Sequence, residues 1–259
     1  MSVVLITGAS SGIGYALALA YARRGDHVVA TARRADRLAA LEAAINALPG
    51  HGDILTVCAD AADSAAMQSA VDQAVARWGR LDVIIANAGV GQRGSIVDSD
   101  WSDLETLLRT NIDGVLHTIR AGVPALRRSG GGHIVLISSV VATMITPYAA
   151  SYGASKAFVS NLARSLRLEL EADHIGVTDV ILGRTATEFN EKRLGHSGRA
   201  AKAPIIPVMQ ADAVAAGIMR AVERRQKRVV LRLFDRLILL GNALIPAWIG
   251  RRALKQYRT

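Results

Sequence analysis

The chain has one cysteine, Cys58. A lone thiol excludes an internal disulfide and a thiolate metal cluster. It lies in the apolar run Ile54 to Ala59, where a buried, inert thiol is expected. The six histidines show no ligand spacing, so no metal is expected. Aromatic residues make up only 4% of the chain. Aliphatic side chains and alanine must therefore fill the interior, and 51% hydrophobic residues suffice for a large core. No basic head, apolar stretch and small-residue cleavage site precede Val3, which speaks against secretion and makes the cytosol the expected compartment. Acids are nearly missing from one region. Residues 1–219 hold 20 Lys/Arg and 20 Asp/Glu, whereas residues 220–259 hold 11 Lys/Arg and two acids, Glu223 and Asp235. The formal charge of +9 thus resides wholly in the tail, which argues against a protein whose entire surface grips nucleic acid.

What is present has a regular order. A length of 259 residues suits one α/β domain. Short apolar runs predict strands at Val3–Thr7, His27–Ala32, Ile54–Ala59, Asp82–Asn87, His133–Ser138, Gly176–Leu182 and Lys227–Leu231. Between them lie alanine-rich stretches with helical spacing, such as Leu38, Leu41, Ile45 and Leu48, or Leu162, Leu166 and Leu170. Strands alternating with helices predict a doubly wound parallel sheet of Rossmann type, about seven strands with helices on both faces. The strands should then be buried on both sides. The polar segment 186–210, with Gly195, Gly198, Pro204 and Pro207, predicts a long loop, and such a loop is usually a lid. The domain expected is 1–232, followed by a basic, apolar extension at 233–259.

The first strand runs into Thr7-Gly8-Ala9-Ser10-Ser11-Gly12-Ile13-Gly14, and a helical pattern follows. Glycines between a strand and a helix let backbone N–H groups approach a pyrophosphate, whose charge the helix dipole favours. Gly8, Ser10, Ser11, Gly12, Ile13 and Gly14 are therefore candidate dinucleotide contacts. The same residues also fit G-x-S-x-G, the elbow of a serine esterase, with Ser10 as nucleophile and His174 or His196 as base. An elbow on the first strand, however, leaves no earlier strand and loop to supply the oxyanion donor. The second strand ends in Ala32-Arg33-Arg34, with no acid before Asp36. A free ribose hydroxyl calls for an acid there, and a 2′-phosphate for a cation. Arg33 and Arg34 favour NADP(H) over NAD(H).

Tyr152 and Lys156 stand one helical turn apart at the head of a long helical pattern. A free phenol is too weak an acid to serve as a base near neutrality, and a nearby ammonium lowers its pKa. Ser138-Ser139 ends the fifth strand and Ala86-Asn87-Ala88-Gly89 ends the fourth, at the sheet edge where such folds take ligands. Together these motifs, with Asp60, Asn111 and the thirteen-residue step from Ser139 to Tyr152, resemble the short-chain dehydrogenase/reductase family over roughly residues 2–230. The resemblance implies an NAD(P)-dependent oxidoreductase interconverting a carbonyl and an alcohol. It implies Tyr152 as general acid/base, Lys156 lowering its pKa and holding the nicotinamide ribose, Ser139 holding the substrate oxygen, and Asn111 anchoring a relay water. It places Asp60 and Ala61 near adenine, and Asn87, Ala88 and Gly89 along the adenosine ribose. Ala86 departs from the family's usual Asn, and Leu182-Gly183 from its usual Pro-Gly. Thr185 and Thr187 are the threonines that would follow, with the loop's path in question.

The loop Val140 to Tyr148 is uncharged and would wall the substrate pocket, with Phe189 and Leu194 closing over it. A lipophilic ketone, aldehyde or alcohol is the expected substrate, with a 3-oxoacyl chain on a carrier protein as the competitor. A non-catalytic NADP-binding sensor is a further alternative. The tail has fourteen uncharged residues from Leu237 to Gly250, interrupted by Gly241, Asn242 and Pro246 and flanked by cations. Fourteen residues are too few to span a bilayer. They suit peripheral contact with an anionic membrane, or packing over the cleft or a subunit interface. The resemblance also implies a dimer or tetramer through helices near 100–127 and 150–173.

Overall fold

The computed structural model describes residues 1–195 and 208–255. Seven strands form one parallel sheet: β1 Val3–Thr7, β2 His27–Ala32, β3 Ile54–Cys58, β4 Val83–Ala86, β5 Gly132–Ser139, β6 Ile175–Leu182 and β9 Arg228–Val230, in the order β3-β2-β1-β4-β5-β6-β9. A two-stranded parallel pair, β7 Thr185–Ala186 and β8 Met209–Gln210, stands apart. The helices are α1 Gly12–Arg23, α2 Ala35–Asn46, α3 Ser64–Trp78, α4 Trp101–Leu108, α5 Gly114–Arg128, α6 Ala150–Glu169, α7 Ala211–Glu223, α8 Leu233–Leu244 and α9 Pro246–Lys255.

Alternation along each strand divides the core in two. Val3 and Leu5 of β1 pack with Met67, Val71, Val115 and Val159 on one face. Val4 and Ile6 pack with Leu17, Tyr21, Leu41 and Ile218 on the other. The helices are set by local signals as well as by this burial. The side chain of Asp63 caps α3 by accepting from Ala65 and Ala66 N–H at 2.9 and 3.1 Å, and Gly79 ends it at φ +73°.

Three expectations need correction here. Cys58 is exposed, not buried, with its thiol 3.5 Å from the Arg33 carbonyl. The reason is strand order: β3 is the sheet's edge, and Leu55, Thr56 and Val57 are only half-buried. The rule of strands covered on both sides therefore fails for β3. The segment after β6 is also less of a loop than expected, since it carries β7, a short 3-10 turn at Glu188–Asn190 and β8. Part of the expected lid, 196–207 with His196, lies outside the described residues.

The strand order reverses direction between β1 and β4. At such a switch point the loops leaving adjacent strands part, opening a crevice at the C-terminal sheet edge.

Candidate active site

A cleft of about 510 Å³ occupies that edge. Its walls include the turn after β1, the ends of β2, β4, β5 and β6, Tyr152 and Lys156 on α6, and residues 182–194.

One end is the glycine turn. Gly8 and Gly12 adopt φ +70° and +56°, conformations that need glycine. A Cβ on Gly14 would lie 2.4 Å from the Gly8 carbonyl oxygen and 2.7 Å from Asn87 Nδ2, so α1 can begin this close to β4 only with glycine. Asn87 ties the turn down, Nδ2 donating to the Thr7 carbonyl at 2.9 Å, while Thr7 Oγ1 accepts from Ala88 N–H at 3.0 Å. Ser11 precedes α1 without capping it by its side chain, and no acid sits in the first helical turn. The N-terminus of α1 is thus left to an anion. Thr187 closes over the turn, its Cγ2 2.8 Å from where a Gly12 Cβ would be. Thr185 Oγ1 is buried on the cleft wall without a hydrogen-bond partner. An uncapped helix start, a cradle too tight for a Cβ and an orphaned hydroxyl fit a bound dinucleotide phosphate.

Arg33 and Arg34 both line this end. Arg33 lies 3.7 Å from Asp60. Arg34 is more firmly held: Nε and Nη2 donate to Ser10 Oγ at 3.2 and 2.9 Å, Nη2 donates to Ser11 Oγ at 2.8 Å, and Nη1 donates to Glu188 Oε2 at 3.0 Å. Ser10 thus faces a guanidinium and not a base, and His174, one candidate base of the esterase reading, is not on the cleft wall, while His196 lies outside the described residues.

The other end gathers the hydroxyls. Ser139 Oγ donates to the Leu182 carbonyl at 3.1 Å, and its hydrogen bond to Tyr152 lowers the phenol's pKa. Burial outweighs that effect and pushes Tyr152 up to about 12, with Arg193 pulling the other way. Lys156 was expected to lower the Tyr152 pKa. Instead, Nζ donates to the Ile137 carbonyl at 2.9 Å. Burial depresses this lysine to about 8, opposed by the negative charge of Asp179.

Asn111 is fully buried in a π-helical turn, Arg109–Asp113, between α4 and α5. Its Oδ1 accepts from Val90 N–H at 2.8 Å, and Nδ2 donates to the Val90 carbonyl at 3.0 Å and to Ser155 Oγ at 3.1 Å. A Cβ on Gly89 would lie 3.2 Å from Asn111 Oδ1 and 3.4 Å from Lys156 Nζ, so this glycine keeps the amide and the ammonium side by side. Asp60, Ala61, Asn87, Ala88, Gly89, Gly8, Ser10, Ser11, Gly12 and Ile13 also line the cleft.

The expected lid residues fold across it. Phe189 stands over Tyr152 with ring centroids 5.9 Å apart, and Leu194 N–H donates to the Gly91 carbonyl at 2.9 Å. Of the loop 140–148, only Val140 and Val141 reach the wall. Three residues escaped the sequence reading. Asp179 is buried, accepting from Ser138 Oγ at 2.5 Å and Ser160 Oγ at 2.9 Å. Its signal was an acid in the middle of an apolar strand. Glu188 and Arg193, by contrast, read as ordinary polar loop residues: Lys192 and Asn190 beside them in sequence say nothing of Arg34, 154 positions away, or of the Tyr152 phenol that Arg193 influences.

Of the three interruptions expected in the tail, Pro246 marks one, whereas Gly241 and Asn242 continue a helix. Helices α8 and α9 are bent by 113° at Ile245 and Pro246, and no single described helix is long and apolar enough to cross a membrane. Asn242 Nδ2 donates to the Thr143 carbonyl at 2.7 Å, and Gly250 sits against Ile145. Arg232 and Asp235 pair at 2.7 Å over Gly183, where a Cβ would lie 2.4 Å from the guanidinium. This crowding accounts for a glycine after Leu182.

Comparison with known proteins agrees with this arrangement. The chain is 34% identical over 257 residues to 11-beta-hydroxysteroid dehydrogenase 1A of Arabidopsis thaliana, a match covering 95% of this chain and 73% of that protein. A short-chain dehydrogenase from Sphingobium yanoikuyae in complex with NADPH has a TM-score of 0.80 at 33% identity, covering 94% of each chain. One from Mycobacterium paratuberculosis bound to NAD has a TM-score of 0.79 at 28% identity, covering 88% of this chain and 94% of that one. The family model for short chain dehydrogenases matches residues 2–197. With its parallel sheet, its glycine turn and this match over most of its length, the chain belongs to the short chain dehydrogenases and is an NAD(P)-dependent oxidoreductase acting on CH–OH groups.

Proposed function

We propose that the protein reduces the carbonyl group of a small lipophilic substrate with NADPH. One observation carries the reading: Tyr152 and Ser139 share the buried end of a single cleft whose other end is lined by Arg34, Ser10 and the glycine turn. Bound NADPH supplies the hydride. The chain supplies the proton and the geometry. Tyr152, raised to about 12 by burial, keeps its proton at neutral pH and can donate it to a forming alkoxide. Ser139 steadies the same oxygen. Lys156, lowered only to about 8, stays largely protonated at pH 7 and holds a positive charge behind the tyrosine. In the reverse direction Tyr152 must first lose its proton, so oxidation quickens as pH rises. Arg34 gives NADPH its advantage over NADH, since a guanidinium suits a phosphate dianion. Val140, Val141, Phe189 and Leu194 make the substrate side apolar.

The test is a panel of hydrophobic ketones and aldehydes followed by NADPH absorbance, repeated with NADH. Faster turnover with NADPH on free carbonyl compounds is expected. Turnover confined to 3-oxoacyl thioesters would shift the reading to a carrier-protein reductase. Tight nucleotide binding without turnover would make the chain a sensor.

A second reading concerns the tail. Leu233, Leu237, Leu240 and Leu244 lie on one face of α8, and all four are exposed. Trp248 is exposed on α9, near the exposed cations Arg251 and Arg252. An outward apolar stripe beside cations supports peripheral attachment to an anionic lipid surface. The protein would then be a cytosolic enzyme that visits membranes, assembled as a homo-oligomer through α5 and α6. Replacing the four leucines with serine should abolish flotation with anionic vesicles. Substitution is preferable to truncation, which would remove Asp235 from Arg232. Unchanged flotation, or a change of oligomeric state instead, would reject the lipid reading.

A further inference from the structure

The guanidinium that a 2′-phosphate requires already has a carboxylate on it. Glu188, on the segment that folds across the cleft, accepts from Arg34 Nη1 at 3.0 Å. The two residues are 154 positions apart in sequence, so the contact is made by the fold. Glu188 has other cations in reach. Lys192 Nζ donates to its Oε2 at 2.7 Å, and Arg37 Nη2 lies 3.8 Å from Oε1. Lys192 first and Arg34 second hold its carboxyl down to about 2, so it is a full anion at neutral pH. Both members of the central pair are about one-third exposed, at 33% and 32%.

We propose that Glu188 is a cofactor-selecting residue, whose carboxylate competes with the 2′-phosphate of NADP(H) for Arg34 and leaves NAD(H) untouched. This rests on the NADP reading above. A phosphate reaching Arg34 meets one of two arrangements. Either Glu188 keeps its hydrogen bond, and two anions crowd one guanidinium, or Glu188 gives up Arg34. Both arrangements cost the phosphorylated nucleotide, and neither concerns a ribose hydroxyl. The second is made easier by Lys192, four residues on, which already holds the same carboxylate oxygen. Glu188 can leave Arg34 without losing its charge partner.

The experiment is calorimetric titration of the full chain with NADP⁺ and with NAD⁺, using wild type, Glu188→Gln, Lys192→Met and Arg34→Met. Glu188→Gln should tighten NADP⁺ about three- to fivefold, as one exposed ion pair warrants, and change NAD⁺ less than twofold. Lys192→Met should act oppositely, because Glu188 then has Arg34 as its nearer partner; NADP⁺ should weaken about twofold or more. The Glu188→Gln effect should shrink at high salt. Equal changes for both nucleotides would overturn the inference and leave Glu188 as a fastener of the lid alone. Weaker NADP⁺ binding in Glu188→Gln would overturn it outright. Failure of the underlying reading shows elsewhere: Arg34→Met would then weaken NAD⁺ and NADP⁺ alike.

Discussion

Helices α1 and α8 are each twelve residues long, and they are built inside out relative to each other. Helix α1 buries Leu17, Ala18, Tyr21 and Ala22 against the sheet. Helix α8 buries Asp235 and Asn242 and turns Leu233, Leu237, Leu240 and Leu244 to the outside. Apolar area alone would rotate α8 by half a turn. The face it turns inward carries Asp235, paired with Arg232 over Gly183, the half-buried Ile238 and Leu239, and Asn242, which donates to the Thr143 carbonyl. One helix is held by apolar burial, the other by a mixed face in which polar pairing stands beside half-buried aliphatic side chains. The cleft depends on the first kind of packing for its glycine turn, and the tail stands against the loop 140–148 by the second.

Chemistry at the cleft gives the largest expected effect. Tyr152→Phe should lower kcat by about 10²–10⁴-fold, the usual share of general acid catalysis, with a far smaller change in nucleotide affinity, since Tyr152 is also an expected cofactor contact, and with vesicle flotation unchanged. Steady-state kinetics with NADPH checks it. A protein that keeps its turnover does not use this phenol.

The same substitution in the two helices should then give opposite results. Leu17→Ala removes a fully buried side chain and should cost about 2–5 kcal/mol in urea unfolding. Leu237→Ala, at a side chain 57% exposed, should stay within about 0.5 kcal/mol. Equal costs would mean that the leucine face of α8 is covered in solution. Between these extremes lies Asp235→Ala. Asp235 is 2% exposed, and its loss takes the carboxylate from Arg232, so about 3 kcal/mol is expected. A small cost would mean that the tail is not held by this pair.

The smallest effect is one of pH. Glu188 sits below its usual value of 4.5, at about 2, so its contribution to stability is complete above about 4.5 and is lost as pH falls through about 2. The thermal midpoints of wild type and Glu188→Gln should differ slightly at neutral pH and converge in that acid window. A gap that persists at pH 2 would exclude this carboxylate as its source.

How much of this was legible in the sequence differs between the same two regions. The strands of the sheet and the residues of the glycine turn were legible because each depends on neighbours in the chain. Val3 to Thr7 forms a strand, and Gly8 to Ser11 turns the chain into α1. Strand order is not local, and so the exposure of Cys58 was not legible from its apolar run. In the tail, Gly241, Asn242 and Pro246 read as three breaks. Only Pro246 marks one, at the first position of α9, where its missing N–H costs nothing. Gly241 and Asn242 continue the helix, and the Asn242 side chain is spent on the remote Thr143 carbonyl rather than on a local turn. Glu188 escaped notice for the same reason: nothing near it in sequence announces Arg34.

The π turn at Arg109–Asp113 adds one backbone unit to a helix that would otherwise run on from Trp101 to Arg128. An extra unit swings everything beyond it by roughly 100° about the axis. The inward amide of Asn111 is therefore a matter of counting rather than of side-chain choice. Shortening this stretch by a single position would rotate the Asn111 amide away from Val90 and Ser155, though every residue named in the cleft were kept. A chain of this shape can gain or forfeit that clamp through an indel no larger than one codon, which inspection of aligned residue types would overlook.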